Sequence, residues 1–200
     1  MTKIITISRQ LGSKGWEIGH TLARELGISF YNEELIELSA KKSGMSPEVF
    51  AKYDERSASS LLYSLSLGAL PGEMLPHNLS VSLNDTVFAS QAETIKELAE
   101  KGPCVIVGRC ADYILRDRKD VLNIFIYADT DARIANIVER DGISEKEALS
   151  DIKKSDKTRA AYHNFYSDRK WGKPECYHAM FNSSLGVDAI VKTIMMLYKA

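Results

Sequence analysis

The chain has 200 residues, 44% hydrophobic and 26% charged, which is enough to bury the core of one domain. Lys and Arg total 26 against 27 Asp and Glu, and the net charge of -1 gives no electrostatic case for a nucleic-acid partner. Cys104, Cys110 and Cys176 lack the spacing of a disulfide framework or a zinc site, the start has no apolar leader, and no run reaches the roughly 20 apolar residues of a membrane span; the expected compartment is a reducing cytoplasm.

Residues 4–8 are short, β-branched and followed by glycines, which predicts a buried strand. The period then turns helical through Ile18, Leu22, Ala23 and Leu26, and Gly27 supplies a stop. Residues 28–31 predict a second short strand. Residues 33–42 predict a helix carrying Leu35, Ile36, Leu38 and Ala40, ended by Gly44. Ser46 before Pro47 reads as a cap with proline at the first helical position.

Residues 57–84 are dominated by Ser, Leu and Gly, with Pro71 and Pro76 as breakers. They are expected to form a helix followed by a loop, and to be the mobile or partner-facing insertion. The apolar Leu61, Leu62, Leu65, Leu67 and Leu70 make this segment the candidate surface for a homo-oligomer. Residues 85–101 predict a helix with Val87, Ala92, Ile95, Leu98 and Ala99 as its buried stripe.

Strands are predicted at 105–107 and 122–128, and helices at about 131–140 and 144–154. Ser144 and Glu147 fit a capping box for the second of these. Residues 156–173 mix charge with aromatics and are expected to be irregular. A last strand is predicted at 177–181 and a last helix at 187–199. Strands alternating with helices predict a mostly parallel sheet covered on both faces.

Three stretches carry candidate chemistry. The first is residues 8–19, SRQLGSKGWEIG, between a strand and a helix. Glycines there let a turn present successive N–H groups, the helix N-terminus adds partial positive charge, and Arg9 and Lys14 add full charges, so phosphate is the natural ligand. The alternative is an ordinary strand-to-helix turn. The stretch matches neither G-x-x-x-x-G-K-[ST] nor G-x-G-x-x-G. The second is Gly108, Arg109, Cys110, Ala111 and Asp112, after a strand, where ligands of open α/β sheets bind. Arg109 there either forks onto a phosphate or carboxylate or is a surface residue paired with Asp112. The third is residues 153–162, where Lys157 and Arg159 either close over a polyphosphate or are solvated helix charges. His20, His77, His163 and His178 show no metal-ligand spacing, and no metal ligand is proposed.

In order, the segments ITISRQ with GSKGWEIG, FYNEELI, VIVGRCADYIL, DKTR and NSS resemble the cytidylate kinase-like family, a branch of the P-loop nucleoside monophosphate kinases. The resemblance covers nearly the whole chain, residues 57–84 excepted. It implies one three-layer α/β P-loop kinase domain over 1–200, with an acceptor-binding helical insertion at about 33–84 and a lid at about 155–173. It implies transfer of the γ-phosphoryl of ATP to CMP, dCMP or a related small acceptor, with Mg2+ bridging phosphates; the alternative is a nucleotide- or anion-binding regulatory protein without turnover. Arg9, Gly12, Ser13, Lys14, Gly15, Trp16 and Glu17 would hold the donor. Tyr31, Arg109 and Asp112 would hold the acceptor. Lys14, Arg109, Lys157 and Arg159 would carry the catalytic charges.

The phosphate loop departs from the family plan at its centre. The usual lysine position falls on Gly15, and the hydroxyl that follows it falls on Trp16 or Glu17. Lys14 and Ser13 are the nearest substitutes. Glu17 either holds magnesium through water or repels phosphate.

Overall fold

The computed structural model describes residues 3–55 and 77–199, without the side chains of 77–82. Five strands build one parallel sheet: β1 (Ile4–Arg9), β2 (Ser29–Tyr31), β3 (Cys104–Val107), β4 (Val121–Tyr127) and β5 (Ala179–Asn182), in the order β2-β3-β1-β4-β5. β1 lies at the centre, with Ile7 in register with Val107 on one side and Ile124 on the other. The strand order reverses beside β1, so the crevice beyond its carboxyl end is where such a sheet binds a ligand.

Eight helices surround the sheet among the described residues: α1 (Gly15–Leu26), α2 (Glu34–Ser43), α3 (Pro47–Tyr53), α4 (His77–Lys101), α5 (Ala111–Ile114), α6 (Thr130–Asp141), α7 (Glu145–Tyr166) and α8 (Val187–Lys199). The alternation of strand side chains explains the two faces. Ile5, Ile7, Val105, Val107 and Ile124 point to one face and pack with Ile18 and Leu22 of α1 and Ile190 and Ile194 of α8. Ile4, Cys104 and Ile106 point to the other and pack with Leu35, Ile95, Leu98 and Tyr162. Thr6, also on that side, donates to Asn123 Oδ1 at 2.7 Å, so the polar pair in the central strands is satisfied. This is the α/β P-loop kinase fold.

Local signals place several helix ends as expected. Gly27 and Gly44 close α1 and α2 in left-handed geometry, Ser46 Oγ accepts from the Val49 N–H at 3.4 Å, and the Ser144–Glu147 capping box is complete. Two expectations are corrected. Helix α4 begins at His77, directly after Pro76, rather than at residue 85. Residues 156–166 are not irregular: α7 runs 22 residues to Tyr166. Its aromatics are helically spaced at Tyr162 and Tyr166, and the Tyr166 ring stacks on Phe88 at 4.0 Å between centroids. The proposed self-association leucines, Leu61 to Leu70, lie outside the described residues. No helix among the described residues is long and apolar enough to cross a membrane.

Candidate active site

The glycine-rich loop after β1 enters α1, whose N-terminus carries no side-chain cap. The first amides of that helix are therefore left to a ligand or solvent. The loop itself is firmly held. Leu11 N–H donates to Asp156 Oδ1 at 2.9 Å, and Leu11 C=O accepts from Arg133 Nε at 2.7 Å. Arg133 also pairs with Asp156. Asn136 Nδ2 donates to Gly12 C=O at 2.8 Å. Helices α6 and α7 thus fix the loop: Asp156 lies in the stretch DKTR that the resemblance marks, while Arg133 and Asn136 carry no local pattern.

Within the loop the candidates separate. Ser13 is fully buried, and its hydroxyl is directed to Gln10 C=O at 2.8 Å and Ile126 C=O at 3.2 Å. Lys14 is exposed and held at φ 60°. Trp16, 51% exposed, stacks on His20. Glu17 is exposed in the first turn of α1.

Facing the loop, three arginines converge on one carboxylate. Glu55 accepts from Arg9 Nη1 at 2.9 Å, from Arg159 Nε at 3.3 Å and from the Arg109 backbone N–H at 3.4 Å. The Arg109 guanidinium forks onto Asp54, with Nη2 to Oδ2 at 2.8 Å and Nε to Oδ1 at 3.3 Å. Its Nη1 donates to Asn32 Oδ1 and Val107 C=O. Behind Asp54, Tyr162 O–H donates to Gln91 Oε1, and Gln91 Nε2 donates to Asp54 Oδ1. A buried charge cluster is stable only when each member is paired, and this one is.

Electrostatics follows from the geometry. Burial pushes the Glu55 carboxyl up, but Arg9, Arg109 and Arg159 outweigh it and hold the group well below the usual carboxylate range. Burial lowers Arg9 to about 10, with Glu55 opposing and Arg159 and Arg109 adding to the fall. It remains a cation at neutral pH. Burial also works against the Arg109 cation, but Asp54 and Glu55 raise it above its ordinary value.

Backbone strain gathers here. Among the described residues, the non-glycine positions with positive φ are Lys14, Glu55, Arg109 and Cys110. Each costs on the order of 1–3 kcal/mol and persists where the surroundings over-determine it. They lie on the glycine-rich loop, at the carboxylate, and on the turn after β3.

Arg109 is therefore not a surface residue paired with Asp112: it is 5% exposed and paired with Asp54. Asp112, 1% exposed, sits on α5 and meets His163 Nε2 at 2.9 Å. Tyr31 is half-buried at the end of β2 and packs beside Ile106, next to the Asn32 that supports Arg109. Lys157 is exposed, and two positions along a helix put it on a different side from Arg159. Asp54, Glu55, Gln91 and Asn32 were missed as site residues. Asn32 alone lay in a stretch that the resemblance marked, and Asp54 and Glu55 carry no local pattern.

The family model for the cytidylate kinase-like family matches residues 4–185. A solved structure of an uncharacterized protein from Eubacterium ventriosum ATCC 27560 shares 29% identity, covering 100% of this chain and 99% of that one, with a TM-score of 0.75. Shikimate kinase from Bacteroides thetaiotaomicron is similar over 100% of both chains at 13% identity and a TM-score of 0.58. A sugar kinase from Janibacter sp. HTCC2649 is similar over 98% of this chain and 94% of its own at 13% identity and a TM-score of 0.56. Among curated protein sequences none matches this chain.

Proposed function

The chain belongs to the cytidylate kinase-like family, and on that footing we propose that it moves the γ-phosphoryl group of a nucleoside triphosphate, ATP in the first instance, to a nucleoside monophosphate of the CMP or dCMP kind or a related small anionic acceptor. The observation that carries this reading is the meeting of Arg9, Arg109 and Arg159 around the Glu55 carboxylate. A carboxylate held by two guanidinium groups and a backbone N–H marks a seat for an oxyanion. A phosphoryl group has the same charge sign, more acceptor oxygens and more charge.

The chemistry asked of these residues is positioning and neutralisation. An acceptor phosphate oxygen forms a bond to the γ-phosphorus while the bond to the leaving diphosphate oxygen breaks. The products are two diphosphates when the acceptor is a monophosphate, and no covalent enzyme intermediate is needed. The uncapped start of α1 faces the donor phosphates. Arg109, fixed by Asp54, Asn32 and Val107 C=O, holds the acceptor side. Arg159 reaches over from α7, its Nη1 also touching Arg9 C=O at 3.4 Å, and neutralises charge that spreads over the transferring group. Glu55 gives up its place when the phosphates arrive.

The donor phosphates fit the uncapped helix and the arginines. The Mg2+ that the family implies does not fit the loop in the usual way. The Ser13 hydroxyl is turned into the protein. Among the described residues no group of three or more His, Cys, Asp and Glu side chains could hold a metal ion.

Purified protein with ATP, magnesium and a panel of nucleoside monophosphates and small hydroxy acids tests the reading by acceptor-dependent ADP formation. Folded protein that binds nucleotides yet forms no ADP with any acceptor would instead support a regulatory, non-catalytic binder. The altered phosphate loop favours that second reading.

A further inference from the structure

The P-loop pattern places a glycine first, then four residues, then Gly-Lys and a hydroxyl residue, with the lysine reaching the β- and γ-phosphates. When Gly15 is set on the lysine position, the first glycine falls on Arg9, the second on Lys14 and the hydroxyl on Trp16. In sequence these look like four separate losses. In space two of them are one change.

Arg9 ends β1 and Gly15 begins α1. A Cβ placed on Gly15 would lie 2.5 Å from Arg9 Cβ and 3.0 Å from Arg9 Cγ. The stem of Arg9 therefore fills the lane by which a side chain at position 15 would leave the helix. Past that point the Arg9 guanidinium crosses Gly108, where a Cβ would lie 2.3 Å from Arg9 Nη1, and ends on Glu55. Its side chain is only 13% exposed. A glycine at position 9 would open the lane, and a glycine at position 15 closes no contact that Arg9 needs. Lys14, at the place of the pattern's second glycine, is held in the left-handed conformation that glycine adopts most readily, and its side chain is exposed.

We propose that Arg9 and Gly15 have exchanged roles, so that Arg9 supplies from the strand side of the loop the cation that a lysine at position 15 supplies in the standard P-loop. Arg9 then contacts the β- and γ-phosphates of the donor once Glu55 has yielded. This inference rests on the phosphoryl-transfer reading above.

The test uses the full chain with two readouts: calorimetric binding of inorganic pyrophosphate and of a non-hydrolysable nucleoside triphosphate, and kcat/KM for transfer. Arg9→Met keeps the apolar stem and removes the charge; it should lower both triphosphate and pyrophosphate affinity at least tenfold, and kcat/KM by about 10²-fold or more, the scale of a lost transition-state charge contact. Arg9→Lys should stay within about tenfold of the parent on the scale of one hydrogen-bonded contact. Gly15→Lys alone should bind poorly, because the lane is occupied. The double variant Arg9→Gly with Gly15→Lys should recover binding to well above either single change.

The proposal is overturned if folded Arg9→Met binds both anions like the parent, or if Lys14→Ala loses more than Arg9→Met does. It is also overturned if the double variant, folded by circular dichroism, is no better than Gly15→Lys alone. If the parent binds pyrophosphate through Arg9 but transfers nothing, the exchange of roles stands and the kinase reading fails. If the parent transfers phosphate and Arg9→Met does so equally well, the reverse holds.

Discussion

Replacing Glu55 by Gln keeps the shape of the side chain and removes its charge. In the parent, the carboxylate accepts from Arg9 at 2.9 Å and from Arg159 at 3.3 Å, with all three side chains no more than 16% exposed. The amide keeps one acceptor oxygen and turns the other into an NH2 that cannot accept from a guanidinium, so one charge-assisted contact of about 1.5–3 kcal/mol, taken as about 2 kcal/mol, is lost. The ligand-free protein should be less stable by that amount, which corresponds to a fall in Tm of roughly 4–8 °C for a chain of this size. An incoming phosphate no longer has to displace a carboxylate, so the same 2 kcal/mol should appear as about 30-fold tighter binding of pyrophosphate. Calorimetric titration and thermal unfolding, each with and without pyrophosphate, measure the two halves. A Glu55→Gln protein that unfolds earlier but binds pyrophosphate no more tightly would show that the carboxylate positions the arginines and does not stand in for the ligand.

Further outcomes follow from the same geometry. Arg109→Ala strands Asp54 and Asn32 at a largely buried site and should cost about 3–5 kcal/mol in urea unfolding, with Arg109→Lys recovering only a minor part because an ammonium cannot fork onto Asp54. Glu55 has a depressed pKa when folded, so its contribution is complete above its ordinary value of 4.5 and is lost as pH falls below it. The parent should therefore lose stability below pH 4.5 more steeply than Glu55→Gln, as read by unfolding at fixed temperature across that range. Arg159→Ala should lower kcat by about 10²-fold, while Lys157→Ala, on a different side of α7, should cost less than about a tenth of that factor, in parallel steady-state assays.

Much of the frame was legible because its causes are local. The β-branched runs at Ile4 to Ile7 and Val105 to Val107 have no better use than a buried strand, and the stripe through Ile18 and Leu22 matches one face of a helix. Where the fold departs from its local signals, the causes are physical too. The charge and aromatics after Asp156 look like a loop because polar residues and rings are both common there, yet no glycine or proline breaks the helix before Tyr166. The first turns of α4 lack a clear apolar stripe, so its start has no local mark in the sequence.

The sequence by itself determined that a strand, a glycine turn and a helix would place backbone amides beyond the end of a strand in a parallel sheet, and that Arg109 would stand just after another strand. Those features depend on residues within about a dozen positions of one another. Only the tertiary structure decided which charges meet there. Arg9 finds Glu55 across 46 positions, Arg109 finds Asp54 across 55, and Arg159 finds Glu55 across 104. No periodicity links such partners; they meet because the carboxyl ends of β1 and β3, the end of α3 and the middle of α7 converge. The same convergence puts the stem of Arg9 in the room above Gly15, a relation between two chain positions that becomes visible only when the strand and the helix are packed together.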